Sequence, residues 1–544
     1  MTEPKTIVLG GHLSLSDAVR LGNPGDAGVL GLADPYNTDW SAFRAAAFAS
    51  AAPPARIEIE PAAWERVRRA REAVDLLKGS GQTVYGINTG FGSLASKAID
   101  ATQTRQLQVN LIRSHAAGSG HPISAGLSRR MLALRINSLA QGHSGVREAT
   151  LRAMIDIYNA GCVPYVPEQG TVGASGDLAP LSHMALALMG EGGMWDAASG
   201  RWAPSSEVLR RKGLAPVELA EKEGLAMNNG TPFMLSHLCA AVRGARVVLE
   251  AAVRVACLSL EGLAGTHVFL DSRIHTARPH SGQVDIAGSM RATLGCGEHP
   301  GPGAICAQVF PQKVQDGYSL RCTPQILGPA LEELETVERT VVTELNATTD
   351  NPLVFVAGEH AEFLGGGNFH GQPLSFAADK LAIAVQHVAT LSERRLFRLT
   401  TADLSKIHPS YLVESTGLNS GFMIVQYLAA ALTSENKILC HPASVDTIPT
   451  SEGCEDHVSM GGFAVRKACA VIDNVTVIVA AELLAACQAL DFLLAKRPEP
   501  ALSPSVKAAY DCVRAAVPHL AEDRCMANDV NVCTRMVGTG FSAA

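Results

Sequence analysis

Five long segments in the second half of the chain, 236–264, 325–347, 373–399, 419–438 and 461–495, carry apolar residues at three- and four-residue spacing. That spacing lays an apolar stripe along one face of a helix. In 373–399 the stripe is Leu381, Val385, Val388 and Leu391. Helices longer than the average globular helix, each with a face to bury, must pack against one another. The predicted fold is therefore mainly α, a long-helix antiparallel bundle. Alternating strand–helix text is absent, which argues against a dinucleotide-binding sheet. The most apolar stretch, Val471 to Leu494, is interrupted by Asp473, Asn474 and Glu482, so it reads as a buried helix and not a membrane span.

The first half is different in kind. Residues 61–78 form an amphipathic helix, with Trp64, Val67, Ala70, Val74 and Leu77 on one face. Helical text also covers 103–113, 125–160 and 181–190. Between these runs lie Gly- and Pro-rich loops at 80–97 and 161–180 and a turn-rich excursion at 191–206. Residues 5–20 read as a strand or turn leading into a short helix capped near Ser16 or Asp17. Residues 22–55, rich in Gly, Ala and Pro, read as a loop or a subunit-covering arm. A loop-rich N-terminal domain over 1–235 and a helical-bundle domain over 236–544 are expected.

Composition removes several functional classes. The 544 residues are 47% hydrophobic and 18% charged, which is globular and not disordered. The net charge of −7 and the 5% aromatic content argue against a nucleic-acid surface. Thirteen cysteines, an odd number without a C-x-x-C pair, argue against zinc ribbons and a paired disulfide framework. Buried thiols in a reducing cytoplasm are expected. The start, MTEPKTIVLGG, lacks the flank and apolar run of a signal peptide.

The tripeptide Ala174-Ser175-Gly176 stands in GTVGASGDLAPLSHMA, between a Pro-broken loop and a helix start. A second copy, Ala198-Ser199-Gly200 in MWDAASGRW, reads as a polar surface turn, so the setting and not the tripeptide carries the signal. In that setting the segment resembles the signature of the aromatic amino-acid ammonia-lyases and aminomutases. The resemblance runs from about residue 80 to 490. It implies that Ala174, Ser175 and Gly176 cyclise autocatalytically into 4-methylidene-imidazol-5-one (MIO). The Gly176 nitrogen would attack the Ala174 carbonyl, unobstructed by a Cβ. Loss of the Ser175 hydroxyl as water would then leave an electrophilic methylene.

The same resemblance implies the rest of a site. VYGINTGFG (84–92) offers Tyr85 as the base for the β-proton, and AMNNGTP (226–232) offers Asn229 as a contact to the prosthetic group or substrate. VQDGYSLRCTPQ (314–325) offers Arg321 for the substrate carboxylate, which a guanidinium fork fits bidentately. It also places Tyr318 beside the prosthetic group and Gln315 near it. GGGNFHGQP (365–373) puts Phe369 close by, and SGFM (420–423) puts Met423 near the pocket.

Two places speak to the substrate. LIRSHAAG (111–118) carries Ser114-His115, where members acting on benzene rings often carry His-Leu or Phe-Leu. TSEGCEDHVSMGG (450–462) carries Glu455, where those members tend to have Gln. A carboxylate suits an imidazole and is expensive beside an apolar ring. The expectation is elimination of ammonia from L-histidine to give trans-urocanate, with His115 and Glu455 holding the imidazole. Departures from the family pattern are Cys454, Thr231-Pro232 and the long 22–55 segment. The alternatives are a tyrosine or phenylalanine ammonia-lyase or 2,3-aminomutase, or a lyase acting on a modified histidine. The resemblance further implies a homotetramer with composite sites, and no nucleotide or metal cofactor. The scattered histidines show no metal-ligand spacing.

Overall fold

The computed structural model describes residues 6–22, 55–80, 103–196, 199–358, 360–497 and 501–541. The molecule is mainly helical. Nine helices position the site: α1 (Thr104–His115), α2 (Ala125–Ala140), α3 (Glu223–Asn228), α4 (Pro232–Gly262), α5 (Tyr318–Arg321), α6 (Thr323–Leu345), α7 (Gln372–Thr400), α8 (Met423–Leu439) and α9 (Gly461–Lys496).

The expected bundle is made by α4, α6, α7, α8 and α9. The axis of the packing is α9 against α7 and α4. The Leu381, Val385, Val388 and Leu391 stripe of α7 is buried, as apolar spacing on one face demands. Side-chain bonds give the directions. Lys467 of α9 meets Asp379 of α7, and farther along Glu482 meets Arg395, so the two run the same way. Cys469 faces the His237 carbonyl and Glu482 meets Ser259, so α4 shares that direction; the three central helices are parallel, not antiparallel as expected, because apolar spacing fixes which face is buried and not the sense of the chain. Helix α8 runs against α7, with Gln426 at Glu393 and Gln386 at Thr433. Helix α6 also opposes α7, with Glu333 at Lys380 and, just before its start, Ser319 at Arg395.

Helix α9 is long and apolar enough to span a bilayer by length and composition alone, yet its most apolar window is 78% buried within the protein. Glu482, one of the interruptions seen in the sequence, is wholly buried and ion-paired to Arg395. A charge in that position marks the core of a packed bundle.

Among the described residues, four two-stranded ladders sit around the bundle. Thr6–Leu9 pairs in parallel with Arg56–Ile59, and Ser14, not Ser16 or Asp17, caps the short helix that follows the first strand. The stretch 125–160 is two helices, α2 and Glu148–Asn159, separated by a turn. The amphipathic helix Pro61–Ser80 packs Ala70, Val74 and Leu77 on Val354 of the hairpin Leu353–Ala357/His360–Leu364. Of the second Ala-Ser-Gly copy, Ser199 and Gly200 lie in the turn of the hairpin formed by Gly193–Asp196 and Arg201–Pro204, and Ala198 lies outside the described residues. The 235/236 boundary lies in the first turn of α4, and one buried apolar cluster has members on both sides of it. Most of the arm read at 22–55 lies outside the described residues.

Candidate active site

The loop 171–177 carries Ala174-Ser175-Gly176 and is tied to the starts of three bundle helices. The Val172 carbonyl accepts from Met460 N at the cap of α9, at 2.8 Å. The Gly173 carbonyl accepts from Gly371 N at the cap of α7, at 3.1 Å, and from the Ser459 hydroxyl at 3.0 Å. Asp177 Oδ2 accepts from Phe233 N at 2.9 Å and Met234 N at 3.0 Å in the first turn of α4. Three helix N-termini therefore converge on this loop. Their aligned dipoles favour negative charge there.

Gly176 pairs as a parallel bridge with Gly230, and Asp177 N donates to the Gly230 carbonyl at 2.7 Å. Both glycines hold positive φ, 79° and 136°. A Cβ on Gly176 would overlap the Gly230 carbonyl, and one on Gly230 would overlap the carbonyl of Thr349. Only glycine fits either place. Burial pushes the Asp177 carboxyl up to about 8, against the pull of its two amide bonds. Its Oδ1 has no partner among the described residues.

The Ser175 hydroxyl donates to Glu455 Oε1 at 2.5 Å, and the Thr450 hydroxyl donates to Oε2 at 2.5 Å. Backbone bonds between Thr450 and Glu455, at 3.0 and 3.3 Å, close the loop that presents this carboxylate. His115 ends α1, half-buried, with Nδ1 3.0 Å from the Ser114 hydroxyl. Burial lowers its pKa, opposed by the Leu111 carbonyl and by the charge of Glu455. Its imidazole is therefore neutral near pH 7, within the field of that carboxylate. Asn229 is buried directly after α3 and directly before Gly230, with Nδ2 donating to Asn228 Oδ1 at 3.3 Å. Phe369 is half-buried two residues before Gly371. Ala174, Ser175, Gly176, His115, Asn229, Phe369 and Glu455 thus gather at one end of the bundle.

Gln315, Tyr318, Arg321 and Met423 are not brought there. Arg398, near the C-terminal end of α7, packs against Gly317, while Gly371, at the other end, bonds the tripeptide loop. The 27 residue steps from one to the other rise about 40 Å along the helix. At this far end Tyr318 is 69% exposed, and the Arg321 guanidinium lies 4.5 Å from its ring centroid. Arg321 Nε donates to the Asp316 carbonyl at 2.9 Å. Gln315 is exposed and lines a cavity of about 540 Å³ with Lys313, Asp316, Arg398 and Lys406. Met423 begins α8, one turn from the Gln426 that bonds Glu393, so it too belongs to the far end. Tyr85 lies outside the described residues.

Sequence reasoning passed over Asp177, Thr450 and Ser459, although each lies inside a motif it used. An acid directly after the tripeptide and at a helix start is the usual sign of a cap, and here it caps a different helix.

The chain matches the model of the aromatic amino acid lyase family over residues 43–515. It is 48% identical over 482 residues to a histidine ammonia-lyase of Bos taurus, covering 89% of this chain and 72% of that protein. It resembles the crystal structure of histidine ammonia-lyase from Trypanosoma cruzi at 41% identity and a TM-score of 0.85, covering 98% of this chain and 94% of that one. The structure of a tyrosine aminomutase from Streptomyces globisporus superposes with a TM-score of 0.86 at 33% identity, over 99% and 97% of the two chains.

Proposed function

The chain belongs to the aromatic amino acid lyase family, a family of carbon–nitrogen lyases, and from that premise we propose that it eliminates ammonia from L-histidine, giving trans-urocanate in histidine catabolism. The observation that carries the choice of substrate is Glu455, which accepts the Ser175 hydroxyl at 2.5 Å while its charge reaches the neutral imidazole of His115. A carboxylate at the tripeptide can accept a hydrogen bond from an imidazole N–H. Facing a benzene ring it would be desolvated without compensation. The histidine ammonia-lyases of Bos taurus and Trypanosoma cruzi support the same choice.

Ala174, Ser175 and Gly176 fit a cyclised prosthetic group. Ala174 is buried, Gly176 has positive φ with no room for a side chain, and the Ser175 hydroxyl is already hydrogen-bonded to a carboxylate. When formed, MIO would supply an electrophilic methylene toward the substrate's amino group, making that amine a better leaving group. The chain's own residues do the rest. His115 and Glu455 hold the imidazole, and Asn229 and Phe369 line the tripeptide. The helix N-termini favour the negative charge that develops as the β-proton leaves. Tyr85, from the VYGINTGFG motif, takes that proton. Arg321 pairs with the carboxylate, flanked by Tyr318, Gln315 and Met423.

Those last four residues lie far from the tripeptide of their own chain, which supports a site completed by another subunit, in keeping with the homotetramer that the family resemblance implies. Supporting this, α8 leaves Ile424, Tyr427 and Ile438 exposed on one face, at 63%, 59% and 72%. An apolar stripe of that kind is a contact surface. All thirteen cysteines are free, in keeping with a cytoplasmic enzyme.

The test is ultraviolet absorbance after mixing the purified protein separately with L-histidine, L-tyrosine and L-phenylalanine, together with intact mass. The expected result is an acrylate absorbance with histidine alone and a mass about 36 Da, two waters, below that of the encoded chain. Ser175→Ala removes both signals. Turnover of tyrosine or phenylalanine instead would give the substrate to the aminomutase-like or benzene-ring branch. Wild-type turnover by Ser175→Ala would end the MIO reading.

A further inference from the structure

Arg395 and Glu482 are both fully excluded from solvent, in the bundle core toward the C-terminal end of α7. Their contact is bidentate: Arg395 Nε donates to Glu482 Oε1 at 2.5 Å and Nη2 to Oε2 at 2.9 Å. The carboxylate also accepts the hydroxyls of Ser259, at 2.6 Å, and Ser392. An ion pair this deep rarely stabilises a fold more than apolar packing of the same volume would. What the guanidinium does beyond the pair is therefore informative. Its remaining nitrogen, Nη1, donates to the main-chain carbonyl of Ser319 at 3.3 Å.

Ser319 lies inside α5, the four-residue helix whose ends are Tyr318 and Arg321. One turn of helix has almost no internal hydrogen bonding to fix it, so its position is set from outside. Three outside anchors are present. Arg395 donates to the Ser319 carbonyl at 3.3 Å, and the Thr323 hydroxyl at the start of α6 donates to the same oxygen at 3.2 Å. Asp316, just before the helix, accepts Thr266 N at 2.7 Å and Lys313 Nζ at 2.6 Å, and its own carbonyl receives Arg321 Nε at 2.9 Å. One turn along α7 from Arg395, the Arg398 guanidinium fills the space where a side chain on Gly317 would go. Helix α7 thus braces the Arg321 segment from below, and Glu482 locks the bracing arginine.

We propose that Arg395, held by Glu482, is the positioning residue that aims Arg321 at the substrate carboxylate. This rests on the reading of Arg321 as the carboxylate-binding group. Arg395 itself touches no substrate. Its contribution is to fix where the Arg321 fork stands, so that both oxygens of a carboxylate can be met together.

The experiment compares two ligands of the intact enzyme. Urocanate carries the carboxylate; histamine carries the imidazole and the amine without it. Arg395→Lys keeps the charge but loses the fork and the reach to Ser319. Arg395→Met combined with Glu482→Leu removes the pair without stranding a buried charge, which keeps the test open where the single variant folds poorly. Arg321→Lys is run beside them. For Arg395→Lys and for the double variant, the inhibition constant of urocanate and the KM of L-histidine are expected to rise about tenfold, as for a lost charge-assisted contact. The inhibition constant of histamine should move less than about twofold, and kcat less than KM. A structural role alone would weaken both ligands alike, and that result overturns the inference. It is equally overturned when the Arg395 variants spare urocanate while Arg321→Lys weakens it. A third pattern, in which Arg321→Lys itself spares urocanate, removes Arg321 from carboxylate binding and takes this inference with it; the fault is then visible in the Arg321 variant and not in the Arg395 ones.

Discussion

Glu455 shows how much one side chain decides here. Both of its oxygens are occupied by hydroxyls, from Ser175 and Thr450. Glu455→Gln keeps one acceptor oxygen and turns the other into a donor facing a hydroxyl. It also removes the negative charge that reaches His115. Its expected effect is a fall of at least ~10-fold in kcat/KM for L-histidine, with activity toward L-phenylalanine falling less, measured from initial rates on both substrates. Equal losses would take Glu455 out of substrate choice. At this scale the sequence was readable as identity but not as geometry. Glu455, His115 and Ser175 were each picked out from their local motifs. That Glu455 bonds Ser175 across 280 positions of chain was not readable, because no local pattern encodes a contact of that separation. Asp177 was passed over for the same reason. Its carboxylate serves α4, 56 residues away, and not the helix it precedes.

The elements tell a related story. The long helices were legible because a three- and four-residue apolar repeat over twenty or more positions has only one regular solution. The short ladders were not. Thr6–Leu9 and Arg56–Ile59 are four residues each and pair in parallel, too brief for an alternating pattern to stand out from chance. What the periodicity could not give is the meeting of three helix starts at loop 171–177. That meeting depends on Gly230, whose backbone lies flat against Gly176. In Gly230→Ala the new Cβ runs into the Thr349 carbonyl and the Arg135 guanidinium, so Gly230 must shift off its bridge with Gly176. The expected loss is about 2–4 kcal/mol of unfolding free energy, a clash at positive φ within a packed core. The intact mass should show chains that keep their two waters. A Gly230→Ala protein that unfolds at the wild-type denaturant midpoint and still loses about 36 Da would show that the close approach is dispensable.

For the whole molecule, the bundle was expected and is present, but the residues assigned to one site from their motifs fall at two ends of it. The motifs say which residues a site needs and nothing about which copy of the chain supplies each. Helix α7 makes the difference visible. Its first turn bonds the tripeptide loop, and its last turns brace the segment that carries Arg321. A rigid rod of about 40 Å holds the two half-sites apart in every chain. On the proposed composite site, each copy would contribute its two halves to two different sites. Coexpression of Ser175→Ala chains with Arg321→Lys chains tests this. Neither chain alone turns over at the wild-type rate, yet random mixing leaves about a quarter of the sites with both an intact serine and an intact arginine, ½ × ½. Recovery of about that fraction of wild-type activity is expected; no recovery in tetramers shown to be mixed would return both halves to one chain.

The rod then has a consequence for inheritance. Damage at one end of the chain and damage at the other are not additive misfortunes. Under the composite-site proposal, a cell holding one copy of the gene spoiled at the serine end and another spoiled at the arginine end would make working enzyme that neither copy encodes. Two different lesions at the same end cannot rescue each other in this way. The distance along one helix would then sort inactivating mutations into two complementation groups.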